Sequence, residues 1–273
     1  EACTLVISPL ISLMEDQVAD LQARGIPALS LAGDIDAKAW DQVMDRAIGG
    51  AYSFLYLSPE RALSARFMAC IPYLPLGLLA IDEAHCISQW GHDFRPSYTS
   101  LGRLREQLRD IPCLAVTASA TPEVLADIQS LLLLDDARVF RQSFARPNVQ
   151  IRIHPTSQRE HTLLQLLRPK DGKQIIYTRS RSQTVHWAKR LQEQGILAGA
   201  YHAGMTAEDR SAQQSAWMGD GLTTMVATNA FGMGIDQAHV RQVFHLDIPD
   251  SPESYYQEIG RAGRDGEMAE AHF

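Results

Sequence analysis

The sequence predicts an α/β protein with two parallel-sheet domains, and three observations carry that expectation. Short apolar runs alternate with amphipathic helical segments along all 273 residues. The pattern breaks once, at Phe144-Ala145-Arg146-Pro147-Asn148, where Pro147 disfavours helix at the residue before it. One apolar run, Leu76 to Ile81, ends in the paired acids Asp82 and Glu83, the place where an open parallel sheet holds a ligand.

In the first half, strands are expected near 3–8, 28–31, 53–57, 76–81 and 113–117. Helices are expected near 10–24, 36–48, 59–70, 97–108 and 122–134. In the first of these, Leu10, Leu13, Met14, Val18 and Leu21 keep helical spacing and Gly25 supplies a stop. The second half repeats the alternation, with strands near 149–154, 173–178, 197–200, 222–227 and 241–246 and helices near 157–167, 180–194, 206–218 and 251–261. The last residues, Ala269 to Phe273, read as one more strand. The domains are therefore 1–143 and 150–273, joined by a linker over 144–149.

Composition narrows the function classes. The chain is 45% hydrophobic and 21% charged, ordinary for a globular protein, with no apolar run long enough to cross a bilayer. A net charge of −7 argues against bulk electrostatic nucleic-acid binding, so any such contact comes from local patches. The cysteines Cys3, Cys70, Cys86 and Cys113 have no Cys-x-x-Cys spacing, which argues against a zinc ribbon and for reduced thiols in the cytoplasm.

Several strings carry chemistry. Of two adjacent carboxylates at a strand tip, Asp82 can hold Mg²⁺ and Glu83 can orient and deprotonate a water for attack on a γ-phosphate. Gln257 to Gly266 carries Arg261 and Arg264, three apart at a helix end and expected on one face, with glycines that allow close backbone approach. Guanidinium groups suit a phosphoryl transition state. In Thr117-Ala118-Ser119-Ala120-Thr121, Ser119 and Thr121 are candidates for a hydroxyl relay to the acids, and Thr121 is equally a helix cap. The run Cys86 to Pro96 holds Trp90, His92, Phe94 and Arg95 without regular periodicity, a loop suited to stacking on single-stranded bases. Ser8-Pro9, Arg61, His202 and Thr228 lie at strand tips where nucleic-acid phosphates bind, and Asp236 is placed to reach a ribose hydroxyl or an arginine.

In order and spacing these strings resemble the superfamily 2 helicases, and closely the RecQ family of DNA helicases. Ile81-Asp82-Glu83-Ala84-His85 continues into the aromatic run to Pro96 as that family's motif II does. Phe231 to Asp236 and Gln257 to Gly266 match motifs V and VI, Ser8 to Met14 matches motif Ia, and Phe144 to Asn148 matches the linker between lobes. The resemblance implies two RecA-like lobes facing across a cleft, ATP and Mg²⁺ as cofactors, no zinc in this segment, and 3′ to 5′ movement on single-stranded or forked DNA. It further implies that Asp82 holds the metal, that Glu83 activates water and that His85 couples the lobes. Gln257, Arg261, Arg264 and Asp236 then face the nucleotide, either arginine being able to lead, with Arg264 favoured. Trp90, His92, Phe94 and Arg95 would sense DNA, in a protein of DNA repair and recombination.

The phosphate-cradling loop G-x-x-x-x-G-K-[ST] is not found in the 273 residues, so the chain as written is expected to be truncated ahead of Glu1 and to hydrolyse ATP poorly. Apolar sheet surface is expected to lie uncovered in the first lobe for the same reason. An RNA-directed ATPase of the same superfamily and a non-catalytic DNA-binding scaffold are the competing readings.

Overall fold

A computed structural model describes all residues except Glu1, Asp34, His92, Ser119, Phe144 and 232–236, and of Ser12 it describes the backbone alone. The chain divides into two units, Glu1–Phe140 and Arg141–Phe273.

The first unit runs β1 (Cys3–Ile7), α1 (Ile11–Ala23), β2 (Ala28–Ser30), α2 (Ala37–Ile48), β3 (Phe54–Leu57), α3 (Pro59–Ala62), α4 (Ala65–Met68), β4 (Leu76–Ile81), α5 (Pro96–Thr99), α6 (Leu101–Gln107), β5 (Cys113–Ala115) and α7 (Pro122–Leu131). Its strands form one parallel sheet in the order β2-β3-β1-β4-β5. Helix α2 shows how local sequence sets an element. Asp36 accepts from the Ala39 amide at 2.8 Å to cap it, and Trp40, Met44 and Ala47, spaced by four and three, form its buried stripe. The expected helices at 59–70 and 97–108 are each broken into two short pieces, because Ser64 starts a new capped turn and Ser100 ends one. Strand β5 lies at the sheet's edge, and Leu114 and Val116 there are 50% and 41% exposed.

The second unit runs β6 (Val149–Arg152), α8 (Arg159–Leu166), β7 (Lys173–Tyr177), α9 (Arg181–Glu193), β8 (Ala198–Tyr201), α10 (Ala207–Met218), β9 (Thr224–Ala227), β10 (Val240–His245), α11 (Pro252–Ile259) and β11 (Ala269–His272). Its sheet is also parallel, in the order β6-β11-β10-β7-β9-β8. Serine or threonine caps α9, α10 and α11 through Ser180, Thr206 and Ser251. Both sheets are all parallel among the described residues, as the unbroken apolar runs imply, with helices packing their buried stripes onto them.

Candidate active site

Strand order places the acids. In the β1–β4 pairing Ile7 lies beside Ile81, so the next residues, Ser8 and Asp82, leave the sheet side by side. Ser8 is fully buried and its hydroxyl donates to Asp82 Oδ2 at 3.2 Å. That places the Ser8 hydroxyl against the acid site. The Glu83 amide donates to Asp82 Oδ1 at 2.9 Å, and the Tyr98 hydroxyl donates to the Asp82 carbonyl at 3.0 Å. Both Asp82 carboxylate oxygens are thereby oriented. Burial, and then the neighbouring Glu83 charge, raise the Asp82 carboxyl above the usual range.

Glu83 adopts a left-handed backbone with φ 47°, which a residue with a side chain rarely takes. The conformation is held from both sides: the Asp82 amide donates to the Ile7 carbonyl at 2.8 Å and the Ala84 amide to the Val116 carbonyl at 2.9 Å. Glu83 Oε2 is buried, 3.3 Å from His85 Nδ1, and lacks a hydrogen bond among the described residues. His85 Nδ1 meets the Thr117 hydroxyl at 2.9 Å. An acid oxygen sheltered from solvent, with a histidine beside it, is suited to hold and deprotonate a water.

Among the described residues of 117–121, Thr117 is the one whose hydroxyl meets the histidine beside the acids, a role its sequence context did not reveal. Thr121 instead caps α7, accepting from the Val124 amide at 3.4 Å, and Ser119 lies outside the described residues. Periodicity could not separate Thr117 from Thr121; strand register does, since Thr117 follows the Val116 that pairs with the β4 tip.

The aromatic loop begins in the 3-10 turn Ala84–Ile87. Trp90 is 76% exposed and Phe94 is 36% exposed. Arg95 donates to the Pro9 carbonyl at 2.8 Å and pairs with Asp93 at 3.2 Å, so it braces the loop against the β1 tip. Gly91 is pressed inward: an added Cβ would lie 2.4 Å from the His85 carbonyl. Ser88, fully buried, donates to Asp127 of α7 at 2.6 Å. His92 lies outside the described residues. Arg61 donates to the Gly33 carbonyl and its guanidinium stands 5.7 Å from the Trp40 ring, an anchoring role that its sequence context did not reveal.

In the second unit α11 stops at Ile259, so Arg261 and Arg264 sit in the turns beyond it and not on a helix face. The turning backbone separates them: Arg261 is 9% exposed, whereas Arg264 is exposed. Gln257 is half-buried on α11. Gly263 holds φ 58°, and a Cβ there would meet Asn148 Nδ2 and the Glu267 carbonyl, each at 2.6 Å. Arg146 and Asn148, assigned to the linker by sequence, donate to the carbonyls of this same turn. Beneath it, His245 Nε2 and Glu258 Oε2 form a buried pair at 2.7 Å, and the Tyr177 hydroxyl donates to the Phe231 carbonyl at 3.0 Å. The Thr228 amide donates to the Tyr201 carbonyl at 3.2 Å, placing Thr228 and His202 at neighbouring strand tips of β9 and β8. Asp236 lies outside the described residues.

The donor set fits a magnesium–nucleotide complex. Two adjoining carboxylates, one with its protonation favoured by burial and by the other's charge, are relieved by a divalent cation. No group of three or more His, Cys, Asp or Glu among the described residues could cage a metal by itself. A cation here would share its shell with water and phosphate, as Mg²⁺ commonly does.

Residues 1–128 match the DEAD/DEAH box helicase family and residues 158–266 the helicase conserved C-terminal domain. ATP-dependent DNA helicase RecQ of Haemophilus influenzae is 45% identical over 272 residues, 99% of this chain and 44% of that protein. The protein of the same name from Bacillus subtilis is 42% identical, over 99% of this chain and 46% of its own length. The chain thus spans less than half of these relatives. The structure of Mycobacterium smegmatis helicase Lhr bound to ssDNA and AMP-PNP superposes with a TM-score of 0.71 at 18% identity, covering 99% of this chain and 39% of that one, a likeness of fold. No described helix is long and apolar enough to cross a membrane. With its motif II running unbroken from Ile81 through the aromatic loop to Pro96, the chain belongs to the RecQ family of helicases.

Proposed function

We propose that this chain is the motor core of an ATP-dependent DNA helicase, coupling ATP hydrolysis to 3′ to 5′ movement on single-stranded DNA. The observation that carries the reading is the buried Glu83 Oε2, without a hydrogen bond among the described residues, beside His85 and Asp82 at the tip of β4. Asp82 is the residue to hold Mg²⁺, which when bound screens phosphate charge and aligns the triphosphate. Glu83 takes the proton of the attacking water, and His85, linked to Thr117, fixes the orientation of that carboxylate. Arg261 and Arg264 of the second unit serve the same hydrolysis step by meeting negative charge on the transferring phosphoryl group, with Gln257 and Asp236 beside the nucleotide. Trp90 and Phe94 stack on exposed bases, and His92, Arg95, Pro9, His202 and Thr228 follow the strand's backbone.

The relatives' names favour DNA over RNA as the nucleic acid. In the full-length gene product, ATP should drive displacement from a duplex with a 3′ tail and not from one with a 5′ tail. DNA oligonucleotides should stimulate ATP hydrolysis more than RNA ones. Failure of Glu83→Gln to abolish displacement would favour a scaffold function.

A further inference from the structure

The turn after α11 carries both candidate arginines and is closed by short backbone bonds, the Ala262 amide donating to the Ile259 carbonyl and the Gly266 amide to the Gly263 carbonyl, each at 3.0 Å. A helix end leaves its last carbonyls without intrahelical donors. Here the amides that follow meet the helix's own carbonyls of Tyr256, Glu258 and Ile259, and it is the carbonyls of the turn beyond that are taken by side chains from more than a hundred residues upstream. Arg146 Nη1 donates to the Gly260 carbonyl at 3.0 Å, and Nη2 to the carbonyls of Ala262 at 3.0 Å and Gly263 at 3.1 Å. Asn148 Nδ2 donates to the Gly263 carbonyl at 2.8 Å and the Glu267 carbonyl at 2.9 Å. One guanidinium fork and one amide thus bind four carbonyls over eight residues, bracketing Arg261 and Arg264 on both sides.

The clamp is itself anchored. The Val149 amide donates to the Arg146 carbonyl at 3.0 Å and the Ala269 amide to the Asn148 carbonyl at 2.9 Å. Strand β6 then pairs with β11 from Val149↔Ala269 onward. The segment Arg146–Asn148 therefore meets the arginine turn where both enter adjacent strands. Gly263, at φ 58°, leaves room for the Asn148 amide that a Cβ would displace. The planar guanidinium spreads its donors over two nitrogens to reach three fanned carbonyls, whereas an ammonium offers its three donors from a single compact centre.

We propose that Arg146 and Asn148 are positioning residues for phosphoryl transfer: they hold the backbone from which Arg261 and Arg264 reach the nucleotide. This inference rests on the role given above to those two arginines. Loosening the turn should then lower the rate of the chemical step while leaving ground-state ATP binding nearly intact, since the arginines act on charge that develops in the transition state.

The test compares Arg146→Ala, Arg146→Lys and Asn148→Ala with Arg261→Ala and Arg264→Ala in the full-length gene product. DNA-stimulated ATP hydrolysis is measured per nucleotide-binding site, so that unfolded molecules are not counted. Arg146→Ala should lower kcat at least about tenfold with KM for ATP changed less than about threefold, and Arg146→Lys should recover only part of it. Asn148→Ala should lower kcat by a smaller factor. If Arg146→Ala does not fold, Arg146→Lys and Asn148→Ala carry the comparison. The inference is overturned if the Arg146 and Asn148 variants keep kcat within about twofold of the parent while Arg261→Ala or Arg264→Ala reduces it. If neither Arg261→Ala nor Arg264→Ala alters kcat, the arginine turn's assigned role fails and this inference with it.

Discussion

His85 Nδ1 and the Thr117 hydroxyl lie 2.9 Å apart, which ties the histidine of the acid site to the segment leading from β5 to α7. The same nitrogen is 3.3 Å from Glu83 Oε2, so the threonine determines how the imidazole is shared with the acid. In the full-length gene product, Glu83→Gln should lower DNA-stimulated ATP hydrolysis at least about 100-fold, within the usual range for removing a general base. Nucleotide binding, followed with a fluorescent ATP analogue, should survive. Thr117→Val keeps the shape and removes the hydroxyl; it should cost about tenfold in rate, corresponding to about 1.4 kcal/mol. An unchanged rate in Thr117→Val would remove Thr117 from the site.

Much of this arrangement was legible in the sequence because parallel strands write themselves as apolar runs. The run Leu76 to Ile81 is the strand β4 that delivers Asp82 and Glu83. Partners chosen by strand register or by long-range loops were not legible. Ser8 turns to Asp82 because β1 and β4 are neighbours, a fact of topology and not of local pattern. Arg146 and Asn148 read as linker because Pro147 lies between them, and their acceptors stand more than a hundred residues away. Arg261 and Arg264 differ in exposure because α11 ends earlier than helical spacing suggests.

The buried Ser88 hydroxyl donates to Asp127 at 2.6 Å and accepts from the Trp90 amide at 3.1 Å. The base of the aromatic loop is thus tied to α7 while Trp90 projects outward. Asp127→Ala leaves a buried hydroxyl without its acceptor, a cost of about 1–3 kcal/mol concentrated at the loop. Stimulation of ATP hydrolysis by single-stranded DNA should fall several-fold in this variant, with the DNA-free rate little altered. Asp127→Asn retains a carbonyl acceptor and should recover much of the stimulation. Equal loss in both rates would place the defect in the acid site and sink the loop assignment.

Gly263 offers a backbone test of the arginine turn. Alanine there must adopt φ 58° at a cost of about 1–2 kcal/mol, and its Cβ would collide with Asn148 Nδ2 and the Glu267 carbonyl at 2.6 Å. Gly263→Ala should therefore lower the thermal midpoint and the ATP hydrolysis rate together. Gly266, with φ 86° and open space where a Cβ would lie, carries only the conformational cost. Gly266→Ala should lower the midpoint less and leave the rate nearer the parent's. The reverse ranking would contradict the packing described for this turn.

His272 supplies a pH dependence in the second unit. Its ring is 2% exposed, stacks on Phe244 at 4.4 Å, and places Nδ1 3.0 Å from His154 Nε2. Burial is the main reason its pKa falls to about 4; His154 and Arg152 lower it further, while Glu270 pulls the other way. The folded value lies below the ordinary value of 6.5, so between about 6.5 and 4 the unfolded chain takes up a proton that the folded chain resists. Stability contributed by this group is complete above that window and is lost as pH falls through it. After discounting for partial solvent screening, the loss should be on the order of 1–2 kcal/mol. Urea midpoints of the chain measured from pH 7.5 to 4.5 should decline, and His272→Gln, which keeps a polar group but cannot take the proton, should decline less steeply. Parallel declines in the two proteins would show that the acid sensitivity arises elsewhere.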